Sequence, residues 1–145
     1  MPNLTVEVGR DRPPIVHLFF APTEARADAL RGAGETVPEP IHVAAMLDTG
    51  AAATCITEAL ARRLGLEPGG EMTVHGLGAG PGVGASYRVR VYFSGASAPE
   101  LVSSLAVIGV EDLDAFGVDA LVGRDLLSRC LLLYNGPHGV CTFAF

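Results

Sequence analysis

Ile41-His42-Val43-Ala44-Ala45-Met46-Leu47-Asp48-Thr49-Gly50-Ala51 is the stretch that decides the fold. Its first part is almost continuously apolar and reads as a β-strand covered on both faces. The strand runs directly into Asp-Thr-Gly. A buried strand fixes its own backbone closely. Gly50 permits a sharp turn and lets another backbone come near. Thr49 can lock the turn by hydrogen-bonding main-chain groups, and Ala51 is small enough for something to pack over it. Asp48 is therefore presented rigidly in a place of low dielectric.

A lone carboxylate in such a place is a costly buried charge. Two carboxylates about 3 Å apart cannot both ionise and share one proton. The ionised member then takes a proton from a water held between them, while the protonated member donates to the carbonyl oxygen of the bond under attack. That is general acid–base hydrolysis with no covalent intermediate. Asp-Thr-Gly occurs once in the chain. Asp11, Asp28, Asp112, Asp114, Asp119 and Asp125 lack a following Thr-Gly or Ser-Gly. The second carboxylate has to be Asp48 of another copy, across a two-fold axis, the commonest symmetry of oligomers. The plainer reading is an ordinary strand-to-turn signal in which Asp forms an Asx-turn.

Outward from this stretch, 145 residues read as one domain. A domain of that size buries enough surface for a core without disulfides or metal. The 10 basic residues are all arginine and the net charge is −6, which argues against nucleic acid or an anionic membrane as partner. Without lysine there is no Schiff base and no P-loop. Cys55, Cys130 and Cys141 are odd in number and lack paired spacing. They read as reduced, small apolar core residues in a cytoplasmic protein. Residues 1–4 lack the pattern of a signal peptide, and no apolar run approaches the roughly 20 residues that span a bilayer.

Residues 1–13 read as a short strand or a loose arm, and 15–20 as a strand between Pro14 and Pro22. Residues 23–34 read as a short helix capped by Thr23 and stopped at Gly32 or Gly34. Its alanines cover little core. Strand character resumes at 54–56, and Thr57 caps a second helix that stops at Gly65. A strand at 72–74 enters a loop with Gly76, Gly78, Gly80, Gly82 and Gly84. From 86 to 93, outward Arg88 and Arg90 alternate with inward Tyr87, Val89, Val91 and Phe93. Further strands are expected at 101–110 and 120–123, a short helix at 124–130, and a closing hairpin over 131–145. Strands at short intervals with brief helices imply a mostly β, barrel-like domain.

With these residues assembled, the chain resembles the retropepsin-like aspartic peptidases, specifically the single-domain bacterial relatives of retroviral proteases. Three features carry the resemblance: the run from Met46 through Asp48-Thr49-Gly50-Ala51 to Ile56; Leu121-Val122-Gly123-Arg124-Asp125-Leu126-Leu127; and the Gly-rich loop between them. It implies an all-β, closed acid-protease barrel with one or two short helices, made of residues 14–145 behind an N-terminal arm at 1–13. The implied activity is that of a homodimeric aspartic endopeptidase acting on peptide or protein substrates. Asp48 would be the catalytic residue. Thr49 would brace the two turns across the axis, and Gly50 would meet the substrate backbone beside Ala51. Residues 72–93 would form a flap, with His75 at its base and Gly76, Leu77 and Gly78 nearest its tip. Gly123, Arg124 and Asp125 would support the turn from beneath. The rival from another class is a non-catalytic dimerising or peptide-binding module on the same fold.

The chain also departs from the pattern. Retroviral enzymes carry an acidic residue directly after Asp-Thr-Gly-Ala that pairs with the arginine of the second signature, and here Ala52 and Ala53 stand in its place. Arg124 then needs another partner: Asp125, Glu58 or a carboxylate of a second copy. No cofactor is expected. His17, His42, His75 and His138 are scattered without ligand spacing, so no metal is expected either. His17 and His42 read as core or edge histidines.

Overall fold

The computed structural model describes residues 2–74, 82–93 and 99–145. In chain order the elements are β1 (Asn3–Glu7), β2 (Ile15–Pro22), α1 (Glu24–Gly32), β3 (Ile41–Leu47), β4 (Cys55–Thr57), α2 (Glu58–Arg63), β5 (Glu71–Val74), β6 (Gly82–Tyr92), β7 (Glu100–Val110), a 3-10 turn (Asp114–Phe116), β8 (Ala120–Val122), α3 (Arg124–Leu127), β9 (Leu131–Asn135) and β10 (Val140–Ala144). Strands β2, β3, β8, β4, β7 and β6 hydrogen-bond in that order, and β6 returns to β2, so the six close into a barrel. β5 extends the sheet beyond β6. A separate three-stranded sheet runs β1, β10, β9. The N-terminal segment is therefore a strand of that sheet, with Leu4 opposite Phe143 and Val6 opposite Cys141.

The barrel interior is filled by alternate residues of its strands: Val16, Leu18 and Phe20 of β2, Val43 and Ala45 of β3, Val89 and Val91 of β6, and Val107 of β7, all fully buried. Each large apolar side chain so removed from water contributes about 1.5–3 kcal/mol. Over 86–93 the expected alternation is present in part: Tyr87, Val89, Val91 and Phe93 are buried and Arg88 is exposed, but Arg90 is half-buried and Tyr92 is buried as well. β3 differs from its expectation. Only one of its faces is fully buried; Ala44 and Met46 are half-buried and His42 is exposed. On the outer side of the barrel the described residues leave this face partly open to solvent, so apolar residues outnumber the covered positions. His17 is exposed on the same outer face, where its ring stacks on that of His42 at 4.7 Å. These are surface histidines, not core ones.

The helices begin and end on local signals. Thr23 accepts the Arg26 amide at the start of α1, and Thr57 accepts the Leu60 amide at the start of α2. Gly34 and Gly65 take positive φ just past the two helix ends, where a side chain is strained. Among the described residues no helix is long and apolar enough to cross a membrane.

Candidate active site

The Asp-Thr-Gly turn is built where β3 leaves the barrel beside β8. The two strands run parallel, with Leu47 opposite Val122, and the Asp48 amide donates to the Val122 carbonyl at 2.9 Å. The carboxylate folds back on the turn: the Gly50 amide donates to Asp48 Oδ1 at 2.9 Å, and the Ala51 amide donates to the Asp48 carbonyl at 3.2 Å. A Cβ at position 50 would lie 3.1 Å from Oδ1, so a side chain there crowds the carboxylate. Asp48 is half-buried, while Thr49 and Gly50 are exposed.

α3 grips this turn from below. The Arg124 and Asp125 amides donate to the Ala51 and Ala52 carbonyls at 2.9 and 3.2 Å. Arg124 also donates from Nη1 to the Thr49 carbonyl at 2.8 Å and the Gly50 carbonyl at 3.0 Å. Of the partners expected for Arg124 within the chain, neither Asp125 nor Glu58 is used: within one copy the guanidinium is held by main-chain oxygens. Glu58 accepts the Tyr87 hydroxyl at 2.7 Å. Asp125 is engaged with Thr54, its Oδ2 accepting the amide at 2.9 Å and its Oδ1 the hydroxyl at 2.7 Å. With position 52 carrying only a methyl group, the guanidinium turns to the oxygens the turn itself leaves unpaired.

Gly123 completes the junction. Its amide donates to Thr54 Oγ1 at 3.1 Å. A Cβ added to it would sit 2.5 and 2.6 Å from the Ala53 carbonyl carbon and oxygen. Two backbones cross there at a distance only glycine permits.

Beside the turn lies a groove of about 280 Å³, lined by Gly50, Ala51, Ala53, Cys55, Val74 and Ile108 among others. Among the described residues its lining carries no charged side chain. Burial, and after it the charges of Asp125 and Asp48, push the Cys55 thiol up. Cys55 is therefore held as a neutral thiol and is a poor nucleophile. Thr54 and Cys55 were not singled out from sequence as site residues. The one available signal was a threonine inside an apolar β segment.

His75, Gly76, Leu77 and Gly78 lie outside the described residues. β5 and β6, which flank residues 75–81, pair antiparallel with Val74 opposite Gly82. Among the described residues no cluster of three or more His, Cys, Asp or Glu side chains is placed to hold a metal.

Comparison with known proteins follows the same line. The model of the family described as gag-polyprotein putative aspartyl protease matches residues 39–132. No curated protein matches the sequence. A retropepsin-like aspartic protease from Rickettsia conorii is similar in structure, with a TM-score of 0.63 at 16% identity over 99% of this chain and 91% of that one. The EIAV protease in complex with an inhibitor aligns at a TM-score of 0.47 and 19% identity, over 85% of this chain and 92% of that one. The retroviral protease-like domain of Ddi1 from Leishmania major aligns at 0.42 and 16% identity, over 86% and 84%.

Proposed function

The chain belongs to the gag-polyprotein putative aspartyl protease family, and from that premise we propose that it is a homodimeric aspartic endopeptidase with one Asp48 contributed by each copy. The observation that carries this reading is the way Asp48 is held. Its amide is locked to Val122, its carboxylate to the Gly50 amide, and the carbonyls of its turn to Arg124. A carboxylate fixed in this manner at the edge of an uncharged groove is prepared for proton transfer, and one chain supplies only one.

With two copies, the pair shares a proton. The ionised Asp48 takes a proton from water, and the water oxygen bonds to the peptide carbonyl carbon. The other Asp48 gives its proton to the carbonyl oxygen. The tetrahedral diol then collapses, the C–N bond breaks, and a proton passes to the leaving nitrogen. Thr49 braces the paired turns, Gly50 meets the substrate backbone, and residues 72–93 are assigned to the flap. Gly123, Arg124 and Asp125 position the turn. Three free thiols, Cys55, Cys130 and Cys141, favour a reducing, cytoplasmic setting.

The test is Asp48→Asn, assayed on a denatured protein and a peptide library with sedimentation in parallel. Cleavage is expected to fall by about 10²–10⁴-fold or more while the oligomer persists. Wild-type activity should follow a bell-shaped, acid-leaning pH profile. Undiminished cleavage by the Asn variant would remove Asp48 from the mechanism.

A further inference from the structure

His17 of β2 and His42 of β3 are far apart in the chain and meet on the outer face of the barrel. The register sets His17 opposite Ala44 and Phe19 opposite His42, so the two imidazoles are diagonal neighbours on adjacent strands, within reach of one another. Their ring centroids are 4.7 Å apart and their planes lie 18° from parallel. Phe19 leans on His42 with centroids 5.0 Å apart. Both histidines are exposed. Among the described residues neither ring makes a hydrogen bond or an ion pair, and their contacts are those between rings. His138 differs: its Nδ1 is engaged with Asn135 Oδ1 at 2.9 Å. The other outward positions of the two strands, Ile15, Phe19, Ala44 and Met46, carry no charge.

We propose that His17 and His42 form a surface site for a late first-row divalent ion, Cu²⁺, Ni²⁺ or Zn²⁺, with water filling the remaining positions. Neutral imidazole is a ligand for all three ions, and Cu²⁺ holds it most tightly. These rings have no hydrogen bond to the protein to give up. The strands supply the chelate: β2 and β3 pair without a break from Ile15 to Phe20 inside a closed barrel, so both backbones are fixed before an ion arrives. Once one ring has bound the ion, the second binds it in an intramolecular step. Little has to move. A stack sets the nitrogens side by side, whereas an ion about 2.0–2.1 Å from each needs them to converge. The rings reach that arrangement by turning about their side-chain bonds, which exposed side chains do in picoseconds to nanoseconds. Charge works the same way. The chain carries a net −6, which favours a cation, and neither strand contains an arginine. The spacing of the two histidines in the sequence has no ligand signature; the β2–β3 register brings them together.

Titration of the full chain with Zn²⁺, Ni²⁺ and Cu²⁺, followed by calorimetry and, for Cu²⁺, by electron paramagnetic resonance, tests this. One ion per chain is expected, with nitrogen hyperfine structure in the Cu²⁺ spectrum. His17→Ala and His42→Ala change exposed positions and should each weaken binding by about 10–100-fold or more, since even outer-shell partners of a metal are worth that much. His17→Gln should weaken it as His17→Ala does, and circular dichroism checks that each variant is folded. His138→Ala and Cys130→Ser should bind as wild type does. Zn²⁺ should raise the melting temperature of wild type and leave that of His17→Ala where it is. If wild type takes up no ion, or if both histidine variants bind as tightly as wild type, the site is wrong. Affinity lost in Cys130→Ser or His138→Ala instead would put the ion on those groups and overturn it too. None of these readouts depends on cleavage, so the outcome is separate from the reading of Asp48.

Discussion

Asp125 holds Thr54 at two points, its Oδ2 accepting the Thr54 amide at 2.9 Å and its Oδ1 the Thr54 hydroxyl at 2.7 Å. Oδ1 also accepts the Leu126 amide at 2.8 Å, and the same hydroxyl accepts the Gly123 amide at 3.1 Å. A fully buried threonine thus welds β4 to the start of α3. Because α3 carries Arg124, the weld sets where the Asp-Thr-Gly turn stands.

Asp125→Ala leaves the Thr54 amide and hydroxyl buried without their acceptor. At about 1–3 kcal/mol for each unsatisfied group, the loss is about 2–6 kcal/mol, read from urea unfolding. Asp125→Asn is expected to lose less, since one oxygen remains to accept. Thr54→Val and Asp125→Ala together should cost less than their sum. Strict additivity would show that the two side chains do not act as a unit.

Gly123→Ala is expected to cost about 1–3 kcal/mol or more, although Gly123 has an ordinary negative φ of −89°. The clash is with the backbone of Ala53, which cannot swing aside as a side chain would. Cleavage should fall further than stability does, because the displaced segment is the one next to the turn. A variant as stable and as active as wild type would contradict the crossing geometry.

Arg124→Ala removes the hydrogen bonds to the Thr49 and Gly50 carbonyls. Arg124 is exposed, so the stability loss should stay below about 1 kcal/mol. The turn loses its restraint, and kcat should drop about 10–100-fold, as the loss of a charged hydrogen bond worth about 1.5–3 kcal/mol implies, with KM little changed. Arg124→Lys should recover only part, since an ammonium lacks the guanidinium's fixed fork of donors. A pure KM effect would place Arg124 in substrate binding instead.

Stability should decline on the alkaline side. Burial pushes the Cys130 thiol up to about 11 and raises Cys55 and Cys141 as well. Burial, and then the bond to Glu58, pushes Tyr87 up to about 12. A raised pKa on an acid that is neutral when protonated means that the unfolded chain releases its proton first. The stabilisation is complete below the unfolded value and is lost as pH rises toward the folded one. The urea midpoint should therefore hold to about pH 9 and fall above it. Cys130→Ser should flatten the fall between about pH 9 and 11, and Tyr87→Phe that between about 10 and 12. An unchanged midpoint at pH 10.5 would speak against both.

Local punctuation was readable in the chain because it acts within a turn or two. Thr23 and Thr57 cap the helices they precede, Gly65 takes the positive φ that ends α2, and β6 alternates as its residues do. The strand that ends in Asp48, and the signature around Gly123 and Arg124, were visible for the same reason. The outer face of β3 departs from the expectation of a strand covered on both faces, because an apolar run states what a strand can bury and not whether anything covers it.

What the sequence determined by itself is the order of strands and helices, the single Asp-Thr-Gly turn, and the second signature that meets it, all of which follow from residue types at short spacing. Only the tertiary structure decided that Arg124 serves main-chain oxygens, that Thr54 and Asp125 are joined across 71 positions, and that Leu131, Leu133 and Tyr134 of β9 stand exposed. Those are consequences of which backbones the closed barrel brings together. Hydrogen-bond partners separated so far along a chain leave no periodic trace in it.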